Sequence, residues 1–116
     1  MARHAVARIA DFPPGSSRII ELERRSVGVY NVNGTLTAIN NYCPHQGGPL
    51  CRGTVTGVAV ADRPYEFNWV RDGEIVRCPW HRWEVDLLSG EVLTDPSKRV
   101  KRYAVTVEDG EVVVDA

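Results

Sequence analysis

Four residues of this chain are of types that bind a metal as a set. Cys43 and His45 form a C-x-H pair within "CPHQGGPL", and Cys78 and His81 form a C-x2-H pair within "CPWH". Two soft thiolates and two imidazoles suit either zinc or a mixed-ligand [2Fe-2S] cluster. Structural zinc sites often draw each chelating pair from one ligand type, whereas here each stretch supplies one sulfur and one nitrogen. A binuclear centre has a use for that arrangement, because a loop running beside it places its cysteine on one metal and its histidine on the other. Pro44 and Pro79 follow the cysteines directly, each fixing φ and removing a donor, so neither phrase fits a helix interior or a central strand. Gly47-Gly48 then lets the backbone bend and approach a neighbour closely.

Two such loops need a rigid frame, and the rest of the chain reads as β-structure. Short runs of β-branched and aromatic residues flank turn dipeptides: "VGVYNV" and "TLTAIN" around Asn33-Gly34, "EFNWV" and "EIV" around Asp72-Gly73, "YAVTVE" and "EVVVD" around Asp109-Gly110. Each predicts a hairpin, and Ser89-Gly90 between "WEVDLL" and "EVL" predicts a fourth. "HAVARIA" is a strand ended by Pro13-Pro14-Gly15. Apolar residues alternate at period two and the runs are too short for helices of useful length. The expectation is an all-β fold, an antiparallel β-sandwich or small barrel, with the two ligand phrases as loops. At 116 residues, with no linker or fixed-period repeat, residues 1–116 are expected to form one domain.

The two phrases resemble the paired cluster-binding motifs of the Rieske family. The approach "GTLTAINNYCPH", the stretch "CPWHRWEVDLLSGEV", Pro96 and the closing "YAVTVEDGEVVVD" are similar to the layout of Rieske-type ferredoxins over almost the whole chain. The resemblance implies one [2Fe-2S] cluster, with Cys43 and Cys78 on the inner iron and His45 and His81 on the outer, solvent-facing iron. Two ferric ions, two sulfides and two thiolates sum to zero charge, and neutral imidazoles add none. An electron therefore enters more easily than in an all-cysteine centre, which is why such centres run at higher potential. High-potential relatives carry a serine and a tyrosine after the second histidine, and a disulfide clamp. Here Trp83 and Val85 stand in the former places, and Trp80 where the clamp's second cysteine would be. Fewer hydrogen bonds to the sulfurs imply the low-potential class, near the low end of roughly −150 to +300 mV.

The resemblance further implies a one-electron carrier without stand-alone catalysis, working between a flavin-dependent reductase and a terminal oxygenase or similar redox enzyme. An oxygenase needs a second site with two more histidines and a carboxylate, and within this chain only His4 is left over. The alternatives are a small subunit of a nitrite-reductase-like complex and a structural zinc-binding module. Fourteen basic against fifteen acidic side chains give a formal charge of −1, which argues against a nucleic-acid partner. With no long apolar stretch and an odd, low cysteine count, the expectation is a cytoplasmic protein without a membrane partner. Cys51 is expected to be a small buried hydrophobe, His4 a strand-edge surface residue, and Trp80 and Trp83 packing groups that brace the loops. "SKRVKR", residues 97–102, reads as a solvated basic face, with docking of an acidic partner as the alternative. The stretch between the ligand pairs, residues 52–77, is about twice the family's usual length; it predicts an added hairpin near the cluster or an elongated strand pair.

Overall fold

The computed structural model describes residues 2–44, 47–63, 66–80 and 82–116, with the backbone alone within 59–68. Eleven strands form two antiparallel sheets. The first has six strands in the order β1-β11-β10-β4-β3-β2: β1 (Arg3–Arg8), β2 (Ser17–Glu21), β3 (Ser26–Val32), β4 (Thr35–Asn40), β10 (Arg102–Glu108) and β11 (Glu111–Asp115). The second has five in the order β5-β6-β7-β8-β9: β5 (Thr54–Arg63), β6 (Glu66–Arg77), β7 (Glu84–Asp86), β8 (Glu91–Val92) and β9 (Asp95–Arg99). The only helical elements among the described residues are two 3-10 turns, Ile9–Asp11 and Leu50–Arg52. Among the described residues no helix is long and apolar enough to cross a membrane. The all-β expectation holds.

The hairpins at Asn33-Gly34 and Asp109-Gly110 form as their sequences predict. All four turn residues have positive φ, the condition for a two-residue turn whose twist matches its strands. The Ser89-Gly90 reversal also forms, bringing Val85 opposite Val92. The Asp72-Gly73 hairpin does not. β6 runs through that dipeptide, and the register jumps from Thr56↔Ile75 to Val58↔Val70, so Gly57 alone faces the four residues 71–74. The dipeptide is a bulge, with Arg71 at φ 56° and Gly73 at φ 82°. Arg71 braces it from within by donating to Glu74, and it is pinned from outside the strand pair where Arg71 donates to Asp86 and Asn33 Nδ2 donates to the Asp72 carbonyl. A Cβ at Gly57 would lie 2.6 Å from the Val70 carbonyl oxygen, so the bulge needs glycine opposite it. The long 52–77 stretch is therefore one elongated strand pair, continuing to Arg63↔Glu66.

β3 is buried along nearly its whole length because it divides two apolar cores. Val27 and Val29 point into one core with Val6, Phe12, Val112 and Val114. Tyr30 and Val32 point into the other, with Ile39, Leu50, Val76, Val85, Leu87 and Val92. The second core joins the two sheets, and the buried Thr37 hydroxyl crosses it to donate to the Leu87 carbonyl at 3.0 Å. That core positions the site, because Cys43 and Cys78 belong to it.

Candidate metal centre

Both ligand phrases leave a central strand and turn back at once. Cys43 lies three residues beyond β4, and Cys78 directly follows β6. Their hydrogen-bond frames are the same. In the first loop the Cys43 N–H donates to the Gly48 carbonyl at 2.9 Å and the Gly47 N–H donates back to the Cys43 carbonyl at 2.8 Å. In the second, the Cys78 N–H donates to the Trp83 carbonyl at 2.8 Å and the Arg82 N–H donates back to the Cys78 carbonyl at 2.9 Å. The residue four beyond each cysteine takes a positive φ, 75° at Gly47 and 58° at Arg82. Both loops thus close one tight reversal in which the cysteine supplies the donor and the acceptor. Glycine makes the first reversal at little cost; arginine makes the second at the cost of a Cβ in the left-handed region.

The loops meet at Gly48. The Cys43 N–H is bonded to its carbonyl, and a Cβ built on it would lie 3.1 Å from Cys78 Sγ and 2.9 Å from the Trp80 ring. Glycine is what lets the first loop reach the sulfur of the second. Both thiols are enclosed, with Cys43 and Cys78 each only 1 % exposed, in a core closed by Leu50, Val76 and Trp83. Two buried cysteines, one bonded through its N–H to Gly48 and the other with its sulfur against it, fit a thiolate-bound metal centre, since an apolar shell excludes water and lowers the local dielectric. The predicted nitrogen donors, His45 and His81, lie outside the described residues, as does Gln46. Among the described residues no three candidate ligands cluster, so the cysteines are the part of the set that the structure places.

Other expectations divide. Cys51 is buried as predicted, within the 3-10 turn that follows the first loop; its N–H donates to Asn41 Oδ1 at 2.7 Å. Burial pushes its thiol up to about 11, partly offset by hydrogen bonds involving Tyr30 and the Gly28 backbone. Burial also raises the Tyr30 phenol beside it. A Cβ on Gly28 would fall within the Cys51 side chain, so that glycine is needed where β3 passes the turn. His4 sits on β1, at the edge of the first sheet. Trp83 packs against the core, while Trp80 covers Gly48 with one face and is 57 % exposed. Trp69 is on the exposed hairpin surface, bonded to Asp72.

Two clefts lie beside these loops. A cleft of about 320 Å³ beside Cys78 and Pro79 is lined by Arg52, Arg77 and Arg82. A second, of about 420 Å³, adjoins Tyr42 at the foot of the first loop and is lined by Arg24, Arg25 and Lys101. In it, Arg25 and Lys101 both lie over the Tyr103 ring, 5.9 and 5.2 Å from its centre. Lys101 belongs to the basic run 97–102 and Arg24 adjoins Arg25, while Arg52, Arg77 and Arg82 stand apart in the sequence, so the fold is what gathers them.

The Rieske [2Fe-2S] domain family matches over residues 2–104. The ferredoxin component of the naphthalene 1,2-dioxygenase/salicylate 5-hydroxylase systems of a Ralstonia species is 24 % identical over 93 % of this chain and 89 % of its own. A ferredoxin structure from Sphingomonas yanoikuyae B1 superposes with a TM-score of 0.70 at 26 % identity, covering 99 % of each chain. The cytochrome b6-f complex iron-sulfur subunit of Chlorobaculum tepidum is 28 % identical over 95 % of this chain, which spans 51 % of that protein. This chain spans about half or less of several longer relatives that it matches. With its match to nearly the whole sequence, a two-sheet β fold and paired cysteine loops on a shared core, the chain belongs to the Rieske [2Fe-2S] domain family, whose cofactor is one [2Fe-2S] cluster.

Proposed function

We propose that this chain is a Rieske-type ferredoxin, a one-electron carrier between a flavin-dependent reductase and a terminal oxygenase or similar redox enzyme. Residues 1–116 form its single domain, and its setting is the cytoplasm. Cys43 and Cys78 hold the cluster through sulfur, and His45 and His81 through nitrogen. The observation that carries the reading is the pair of matched loops, both with buried cysteines, that meet at Gly48 through the Cys43 N–H and the Cys78 sulfur. When bound, the cluster supplies reversible one-electron transfer.

The chain's own residues have three tasks in this scheme. The reversals at Gly47 and Arg82 fix the backbone on which each sulfur stands, so little rearrangement accompanies a change of charge. Leu50, Val76 and Trp83 exclude water on the core side. Trp80 and Tyr42, both exposed, form the rim on the other side. A named carrier of similar length among the relatives supports the reading. The test is the purified protein's absorption spectrum, iron content and electron paramagnetic resonance after dithionite. A reddish-brown protein with two irons and a mixed-ligand signal is expected; a colourless protein with one zinc would overturn it.

A further inference from the structure

The geometry points to the loop-bearing end of the molecule as a docking surface for an acidic protein partner. The inference deepens the carrier reading by fixing the sign of charge that the partner presents. Its basis is the pair of clefts flanking the loops. Arg52, Arg77 and Arg82 converge beside Cys78, and Arg24, Arg25 and Lys101 converge beside Tyr42. Among the described residues neither cleft has a carboxylate in its lining. Arg77 is paired with Glu84 at 3.5 Å, while Arg24, Arg25, Arg52, Arg82 and Lys101 are exposed. Glu21 and Glu23 are the acids nearest in sequence to the Arg24 cleft, and Glu21 accepts from the Ser26 hydroxyl.

This concentration of positive charge belongs to a chain whose formal charge is −1, so the charge is segregated rather than merely abundant. An extended polyanion such as nucleic acid or an anionic membrane spans acidic as well as basic surface on a nearly neutral chain, whereas a local acidic patch meets only the basic end. Tyr42, 59 % exposed, lines the second cleft, and Trp80, 57 % exposed, follows Pro79 of the first. Tyrosine, tryptophan and arginine are the residue types enriched at protein interfaces and at their energetic centres. Complementary charge orients the encounter and raises its rate, which suits a carrier that must bind and leave quickly.

The test measures binding of a fluorescein-labelled octaglutamate peptide to the cluster-loaded protein by anisotropy. Octalysine, phosphatidylserine vesicles and a single-stranded oligonucleotide serve as comparison probes. Arg52→Glu and Arg82→Asn are paired with Arg8→Glu, an exposed position on β1 in neither cleft. Asparagine is chosen at 82 because it tolerates positive φ. Octaglutamate should bind at low salt and release as salt rises, with affinity falling about fivefold when both cleft arginines are replaced. Arg8→Glu should change little. Equal losses in all variants, no preference for octaglutamate over octalysine, or binding to vesicles or oligonucleotide with none to octaglutamate would overturn the inference. Iron content and the resonance signal are recorded on the same samples. Loss of the signal in the unmutated protein counts against the carrier reading, whereas an intact signal without octaglutamate binding counts against the docking surface alone.

Discussion

Replacing Gly48 with alanine should damage the metal centre more than the fold. The added methyl would sit 3.1 Å from Cys78 Sγ and 2.9 Å from the Trp80 ring, tighter than ordinary van der Waals contact. The ring is largely exposed and can swing outward, but the sulfur is buried and has nowhere to go. Overpacking of this kind costs roughly 1–3 kcal/mol, which for a chain of this size lowers Tm by roughly 4–12 °C. Gly47→Ala is the control. Its methyl meets only the exposed Tyr42 ring, and its cost is the left-handed φ of 75°, about 1–2 kcal/mol. The two variants should therefore lose comparable thermal stability while differing in cluster content. Iron and sulfide per protein, measured with the resonance spectrum, should fall clearly below the unmutated value for Gly48→Ala and stay near it for Gly47→Ala. Full occupancy and an unaltered spectrum in Gly48→Ala would refute the argument that glycine is needed for the first loop to reach the second.

Three further outcomes are expected. Cys43→Ala and Cys78→Ala should each abolish the visible absorption of the purified protein while Cys51→Ala retains it; loss of colour in Cys51→Ala would place that thiol among the ligands. Burial opposes ionisation of Asp86, but hydrogen bonds from Arg71 and the Leu88 N–H outweigh it and hold the carboxyl below its usual range. A depressed carboxyl contributes stability in full above its unfolded value of about 3.9 and loses it as pH falls through the folded one. Urea melts should thus weaken more steeply below about pH 4 for the unmutated protein than for Asp86→Asn, and parallel curves would contradict the assignment. His81→Cys, where a cluster still assembles, adds a negative charge and should lower the reduction potential measured by redox titration; an unchanged value would refute the charge argument.

The sequence made the two cysteine loops and most of the hairpins legible because both rest on local chemistry. Asn33-Gly34 and Asp109-Gly110 turn because both positions accept positive φ, a property of the dipeptide itself. Asp72-Gly73 has the same signature and becomes a bulge, and what decides between the outcomes lies far away in the chain. Asn33 and Asp86 hold the bulge from other strands, and Gly57 makes room for it. The left-handed Arg82 was invisible for a similar reason. Its only signal is its place four residues after Cys78, matching Gly47 after Cys43, and the difference in residue type hides the match. Gly48 was legible as a point of close approach, but not what it approaches, because Cys78 and Trp80 come from the other loop. The basic clefts gather cations from several separate segments, and only the topology brings them together.

Because Cys43 and Cys78 are core residues rather than surface fixtures, the proposed ligation would make cofactor supply and protein lifetime one quantity. Stripping the metal leaves thiols facing an interior that Leu50, Val76 and Val85 share with both sheets, so the damage spreads through the packing instead of stopping at two loops. On that ligation, cluster loss would weaken the packing along this seam.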